Sequence, residues 1–206
     1  MARIKALPTE VSSRYYPFDY FAPIDWEQVF GITSPIEIEL GAGDGSFLIQ
    51  YAEQNPQLKL LGIERLLGRI RKIDRKAHKS GITNLRLLRI EAGYFLKYLL
   101  KEQSVRAVHV YFPDPWPKKR HQKNRLINST FVDHCKRILE PSGHVYLRTD
   151  HIEYFEQMKT VFADSPDFEF QDTPISLQTI KTDFETRFNQ QGIQTQHATY
   201  RLIAGT

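Results

Sequence analysis

Cysteine is almost missing from this chain. Cys135 stands alone among 206 residues, which excludes a disulfide within the chain and any cysteine-built metal site. The seven histidines are scattered, so no metal cluster is expected. No apolar run approaches the roughly 18 residues that a membrane span needs. The opening residues MARIKALPTE hold neither an apolar core nor a cleavage site, so no secretory signal is read there and the cytoplasm is the expected compartment. Internal repeats and low-complexity tracts are absent. With 41% hydrophobic, 12% aromatic and 25% charged residues, intrinsic disorder is excluded as well.

What is present is an ordinary globular composition with unevenly placed charge. The length suits one domain with a sizeable core, read as a single unit over 1–206 with an irregular N-terminal arm over 1–25. The net charge is +4 and the sequence pI about 9.1. Seven Lys/Arg and one acid, Asp74, fall between Arg65 and Lys79. Five Lys/Arg and no acid fall between Lys118 and Arg125. From His151 to Glu185 the sign reverses, with eight acids against two lysines. Clustered basic charge suits a polyanionic partner such as nucleic acid, or else two solvated surfaces.

Short β-rich runs alternate with amphipathic stretches. The pattern predicts strands at Ile36–Leu40, Lys59–Glu64, Leu85–Ile90, Ala107–Phe112 and Gly143–Arg148. Further strands are expected near Phe168–Phe170 and His197–Leu202. Helices are expected at Ser46–Glu53, Leu67–Lys79, Tyr94–Lys101, Ser129–Leu139 and His151–Phe162. That alternation argues for βαβ units: an α/β, Rossmann-like fold with a mostly parallel seven-stranded sheet and helices on both faces. The aromatic and proline-rich segment Arg14–Trp26 reads as an arm over the domain or as a substrate-contacting segment.

Ile36–Leu40 runs into Gly41-Ala42-Gly43-Asp44-Gly45. Glycines there permit a tight turn and close approach of backbone to a ligand. In a doubly wound sheet the carboxyl end of the first strand borders the ligand crevice. The spacing is G-x-G-x-G, whereas the dinucleotide fingerprint sets its third glycine one residue later. With Glu39 two residues before Gly41, the run resembles motif I of the class I S-adenosylmethionine-dependent methyltransferases. Glu64 ends the second strand about 20 residues on, where a carboxylate can hold ribose hydroxyls; the alternative is an ion pair with Arg65 or Arg69. Glu91 ends the third strand and lies near the adenine or is simply solvated.

After the strand ending at Phe112 comes Pro113-Asp114-Pro115-Trp116-Pro117, then Lys118-Lys119-Arg120-His121. Prolines on both sides forbid helix around Asp114 and stiffen the turn. An acid beside a flat aromatic and a basic run can grip a base while cations reach phosphates. The run FPDPWPKKRHQKNRL, with the earlier APIDWEQVFG and IEIELGAGDGSFL and the later LRTD and TDFE, resembles the bacterial tRNA (guanine-N7)-methyltransferases. The resemblance extends from about Asp25 to Arg201. It implies methyl transfer from S-adenosyl-L-methionine to N7 of the variable-loop guanosine of tRNA. It implies Asp114 as the catalytic aspartate, with Glu39, Gly41, Gly43, Gly45, Glu64, Glu91 and Asp114 around the cofactor. Lys118, Asp150, Thr182, Asp183, Phe184 and Glu185 fall at substrate positions, and Lys119, Arg120, Lys123 and Arg125 are assigned to tRNA phosphates. No metal or membrane is implied, and the oligomeric state is monomer or homodimer. The family usually has Asp where Glu91 stands and a GFGNG-like loop where this chain has GAGDG.

Guanine N7 carries a lone pair and no proton, so no general base is required. Asp114 is therefore expected to orient the base and stabilise its developing positive charge. Asp150 assists or caps the helix after it. Three other readings compete: an adenine-N6 methyltransferase, disfavoured because Asp114-Pro115-Trp116 lacks a second proline; an RNA-binding protein on a decayed methyltransferase fold; and a nicotinamide oxidoreductase, disfavoured by the glycine spacing.

Overall fold

The computed structural model describes residues 12–31 and 35–203. The chain divides between Lys101 and Glu102 into two compact units. In the first, four parallel strands lie in the order β1 (Arg14–Tyr15), β4 (Leu85–Leu88), β3 (Lys59–Ile63) and β2 (Ile36–Leu40). β2 (IEIEL) is buried along its whole length, its two acids included: Glu37 accepts from the Tyr51 hydroxyl at 2.8 Å, and Glu39 is as deeply buried. Its register sets Glu39 opposite Gly62 and Leu40 opposite Ile63. α2 (Ser46–Gln54) and α3 (Leu67–Lys79) follow β2 and β3. α3 buries Ile70, Ile73, Asp74 and Ala77, one stripe at i, i+3, i+4 and i+7. Ile70, Ile73 and Ala77 meet Leu48, Ile49 and Ala52 of α2 and Leu60, Leu85 and Leu87 of the strands in one apolar cluster.

The expected seven strands become eight among the described residues. The addition is β1, inside the segment read as an irregular arm. Its cause is Asp74, buried on the inner face of α3 at 1% exposure. The Asp74 carboxylate accepts from the Ser12 hydroxyl at 2.9 Å and the Ser13 amide at 2.7 Å, and pairs with Arg14 Nε at 3.1 Å. The arm is thus pinned alongside β4, where Leu87 N donates to Ser13 O. Its residues before Ser12 lie outside the described part. The arm ends in a short helix, α1 (Trp26–Phe30), capped by the Asp25 side chain.

α4 (Ala92–Tyr98) starts two residues before the expected helix because Glu91 caps it, accepting from Gly93 N and Tyr94 N. In the second unit the order is β5 (Val105–Tyr111), β6 (Leu139–Thr149), β8 (Gln196–Leu202) and β7 (Phe168–Gln171). β5 and β6 are parallel, and β8 is antiparallel to both its neighbours. α5 (Ser129–Ile138) buries Phe131, Val132, Cys135 and Ile138. α6 (Ile152–Ala163) follows β6, with the His151 ring accepting from Tyr154 N. The cap is therefore His151, one residue beyond Asp150. α7 (Ile175–Gln178) and α8 (Asp183–Gln190) were not anticipated from periodicity. Among the described residues, no helix is long and apolar enough to cross a membrane.

Candidate functional site

The glycine loop begins where β2 ends. Gly41 N and Ala42 N both donate to Ile63 O at 2.9 Å, which folds the loop over the end of β3. Gly41, Gly43 and Gly45 have φ of 80°, 57° and 76°, a left-handed region open to glycine at little cost. The three do different work. A Cβ at Gly41 would meet nothing within 4 Å, and one at Gly43 only the Gly41 carbonyl at 3.8 Å. A Cβ at Gly45 would sit 2.8 Å from two Ile73 carbons. Gly45 therefore lets α2 pack against α3, while Gly41 and Gly43 leave open space over the loop.

Glu64 lies directly beneath that loop and is buried at 5%. Its carboxylate accepts from Gly43 N at 3.2 Å and Leu66 N at 2.8 Å, and Arg69 reaches it at 3.4 Å. The two readings of Glu64, ligand acid and partner of Arg69, meet in one residue. Glu39 is buried at 3%. Glu91 is exposed and committed to the α4 cap. The donor set of this unit is thus three carboxylates and a bare glycine backbone. The buried carboxylates Glu39 and Glu64 fit a cationic sulfonium nucleoside with hydroxyls to bind, and the cations beside the loop are engaged by acids, Lys72 and Lys76 by Asp44 and Arg69 by Glu64.

In the second unit, Asp114 is exposed on the loop after β5. The loop is framed by two non-glycine residues with positive φ, Phe112 at 52° and Trp116 at 44°. Bulky residues held there cost of order 1–3 kcal/mol each, and such strain is concentrated at functional sites. Phe112 N is tied to Arg148 O at 2.8 Å. The Phe112 ring packs against Phe184 and Phe188 of α8, with centroids 6.5 Å and 6.0 Å away. The proline loop and the TDFE segment are therefore neighbours. Trp116 meets the His121 ring edge-on at 5.8 Å. Lys118, Lys119, Arg120 and Lys123 are all exposed, on and around a 3-10 turn over Lys119–Asn124.

Arg125 departs from its expected role as a phosphate contact. It is buried at 3%, its Nε donates to Pro115 O at 2.7 Å, and Nη1 donates to Gln157. Nη2 lies 3.4 Å from Glu153, and the guanidinium sits 4.8 Å over the Tyr154 ring. Its donors are spent on the protein.

The TDFE segment divides in two. Thr182 is the N-cap of α8 and accepts from Glu185 N at 3.0 Å. Glu185 is buried at 2% and pairs with Arg148 at 3.0 Å. Arg148 also donates to Ile180 O and Leu177 O and lies 4.1 Å over the Tyr111 ring. Of Thr182 and Glu185, both read as substrate contacts, Glu185 fastens the segment to β6 and Thr182 caps its helix, whereas Asp183 and Phe184 are exposed. Asp150 is half-buried at the end of β6. Arg148 was missed from sequence; the signal was a lone cation in an apolar strand, which needs a buried acid somewhere downstream. His197 Nε2 lies 3.8 Å from Glu185. Burial first, then Arg148 and Lys181, push its pKa down to about 4, so at neutral pH the ring is uncharged and the contact is not an ion pair.

A family model described as putative methyltransferase matches residues 33–202. Among solved structures, the 16S rRNA methyltransferase KamB aligns with a TM-score of 0.62 at 17% identity, over 87% of this chain and 93% of that one. A phosphoethanolamine N-methyltransferase of Haemonchus contortus, solved with S-adenosyl-L-methionine, aligns with a TM-score of 0.53 at 13% identity, over 90% of this chain and 54% of that one. The fold is that of the class I S-adenosylmethionine-dependent methyltransferases. A Listeria monocytogenes protein named tRNA (guanine-N(7)-)-methyltransferase is 34% identical over 87% of this chain and 84% of its own length. A Chlamydia caviae protein of the same name is 37% identical over 70% of this chain. This chain belongs to the bacterial tRNA (guanine-N7)-methyltransferase family. The match spans 64% of the length of the Chlamydia relative.

Proposed function

We propose that this chain methylates N7 of the variable-loop guanosine in tRNA, in the cytoplasm, as a monomer or homodimer. The observation that carries the reading is the strained proline loop. It presents one exposed carboxylate, Asp114, followed along the chain by an exposed tryptophan and four exposed cations. S-Adenosyl-L-methionine, when bound, supplies an electrophilic methyl group. In the unit that ends at Lys101, Glu64 would take its ribose, the glycine backbone its amino-acid end, and Glu39 and Glu91 would complete the acidic surround. The open space over Gly41 and Gly43 supports that assignment.

In the unit that begins at Glu102, Asp114 orients the base by accepting from its ring N–H or exocyclic amine. The N7 lone pair would form the new bond to the methyl carbon as the methyl–sulfur bond breaks and its electron pair stays on sulfur, leaving a neutral thioether, and the base becomes cationic as it does so. A carboxylate about 4 Å away offsets that charge by roughly 4 kcal/mol at an intermediate dielectric, before desolvation. No proton is abstracted before attack, so positioning is the main source of rate. Lys118 and the exposed side chains of Asp183 and Phe184 border the substrate. Lys119, Arg120 and Lys123 hold phosphates, and Asp150 assists from the end of β6.

The test is nucleoside mass spectrometry of tRNA lacking the modification, after incubation with protein and S-adenosyl-L-methionine. Wild type should yield N7-methylguanosine. Asp114→Asn should lower the single-turnover rate about 1,000-fold, the scale of losing one charge-stabilising group. Unchanged turnover in that variant would remove Asp114 from its role, and a different methylated nucleoside would overturn the base assignment.

A further inference from the structure

We infer that Arg125 is a positioning residue that sets the conformation of the Asp114 loop from beneath. The inference rests on the reading of Asp114 given above. Three observations converge on it. First, Arg125 donates to the carbonyl of Pro115, the residue that follows Asp114. Secondly, the loop needs such a tie. Phe112 and Trp116 hold left-handed backbone on either side of Asp114, and strained backbone persists only where its surroundings over-determine it. Phe112 is fixed by Arg148 O and by the α8 rings. On the other side of Asp114, Arg125 supplies the hydrogen bond that holds Pro115.

Thirdly, Arg125 is itself held rigidly. Gln157 accepts from Nη1 and in turn donates to Ile127 O at 3.1 Å. The Tyr154 ring forms the floor under the guanidinium, and its hydroxyl accepts from Ile127 N at 3.0 Å. The Arg125 carbonyl accepts from Asn128, the cap of α5. Arg125 therefore links the loop to two helices at once. A planar guanidinium satisfies both Pro115 and Gln157 from one position; a lysine ammonium, a single point of charge, does not reproduce that fork. The same anchor fixes the start of the exposed Lys118–Lys123 run relative to Asp114.

The experiment compares wild type with Arg125→Lys, Arg125→Gln and Gln157→Met. Steady-state methylation of unmodified tRNA is followed across salt concentrations, together with trypsin cleavage after Lys118–Lys123 in the folded protein. For Arg125→Gln the expected result is a fall in kcat of about 100-fold, the scale of a roughly 1 Å misplacement. KM for tRNA and the salt slope should stay at wild-type values, and trypsin cleavage should quicken. Arg125→Lys should recover part of kcat, and Gln157→Met should show a smaller loss in the same direction. Retained kcat with a raised KM and a salt slope shallower by about one would make Arg125 a phosphate contact after all and overturn the inference. Wild-type kcat in Gln157→Met together with wild-type trypsin cleavage in Arg125→Lys would overturn it too. If the wild type itself yields no N7-methylguanosine, the proposed function fails. The trypsin comparison would then still decide whether Arg125 holds the loop.

Discussion

Arg148, Glu185 and His197 form a buried polar knot in which the charges are not shared equally. Arg148 and Glu185 are almost wholly buried and pair directly. That removes the negative charge which would otherwise raise the pKa of His197. What the imidazole meets is burial, then the positive charges of Arg148 and Lys181, and its pKa falls from 6.5 to about 4. A proton therefore binds more readily to the unfolded chain than to the folded one. Above pH 6.5 the ring is neutral in both states and nothing is lost. As the pH falls from about 6.5 to about 4, stability drops, and below that the loss levels off. Urea melts of wild type and His197→Gln at pH 7.5 and pH 4.5 isolate this contribution from that of the carboxylates. The variant should lose clearly less stability on acidification. An equal loss in both would show that His197 is not held neutral.

At the scale of elements, the closeness of α2 to the sheet depends on a missing side chain. Gly62, in the middle of β3, has ordinary strand backbone, so its cost to replace is steric alone. A Cβ there would lie 2.4 Å from Leu48 Cδ2 on α2 and 3.0 Å from Leu87 Cδ2 on β4. Gly62→Ala should destabilise the fold by about 1–3 kcal/mol through overpacking, seen as a lower urea midpoint. Adding Leu48→Ala should reduce the steric part of that loss; if the double variant lost the sum of the two single losses, the clash would not be the cause. Elements of this kind were legible in the sequence. β2 and α3 have the predicted bounds because a strict alternation of apolar residues and glutamates running into glycines, and a 3.6-residue stripe, are local signals. α8 was not legible, since DFETRFNQ offers only the Phe184–Phe188 pair at helical spacing, and its helix rests on the Thr182 cap, the buried Glu185 and the contact of those two rings with Phe112. β1 needed Asp74, distant in sequence. The site shows the same division. The glycine loop and Asp114 announce themselves by glycine and proline spacing. Arg125 looked like its exposed neighbours, because only the partners Pro115 O and Gln157 decide that it turns inward.

Across the whole molecule, the excess of positive charge is confined to one unit. Up to Lys101 there are fifteen Lys/Arg against eleven Asp/Glu, whereas from Glu102 onward there are thirteen of each. The unit that carries Asp114 therefore attracts RNA through the local density of Lys118, Lys119, Arg120 and Lys123, not through net charge. The other unit presents Arg65, Arg69, Lys72, Arg75 and Lys79, all exposed on or beside α3. Lys72 shares Asp44 with Lys76, and Arg69 faces Glu64, which leaves that surface less positive than its sequence suggests. Cations that release counterions from RNA each add up to about 0.9 to the slope of log affinity against log salt. Charge-neutral replacement of Lys118, Lys119, Arg120 and Lys123 together should flatten the slope for tRNA by about three to four. Arg125→Gln should leave it unchanged, because a buried guanidinium releases no counterion. The slope left in the fourfold variant measures the α3 surface, and adding Arg75→Gln and Lys79→Gln should reduce it further. A fourfold variant with the wild-type slope would mean that the basic turn does not touch phosphate, and that the strain around Asp114 serves something other than holding a polyanion.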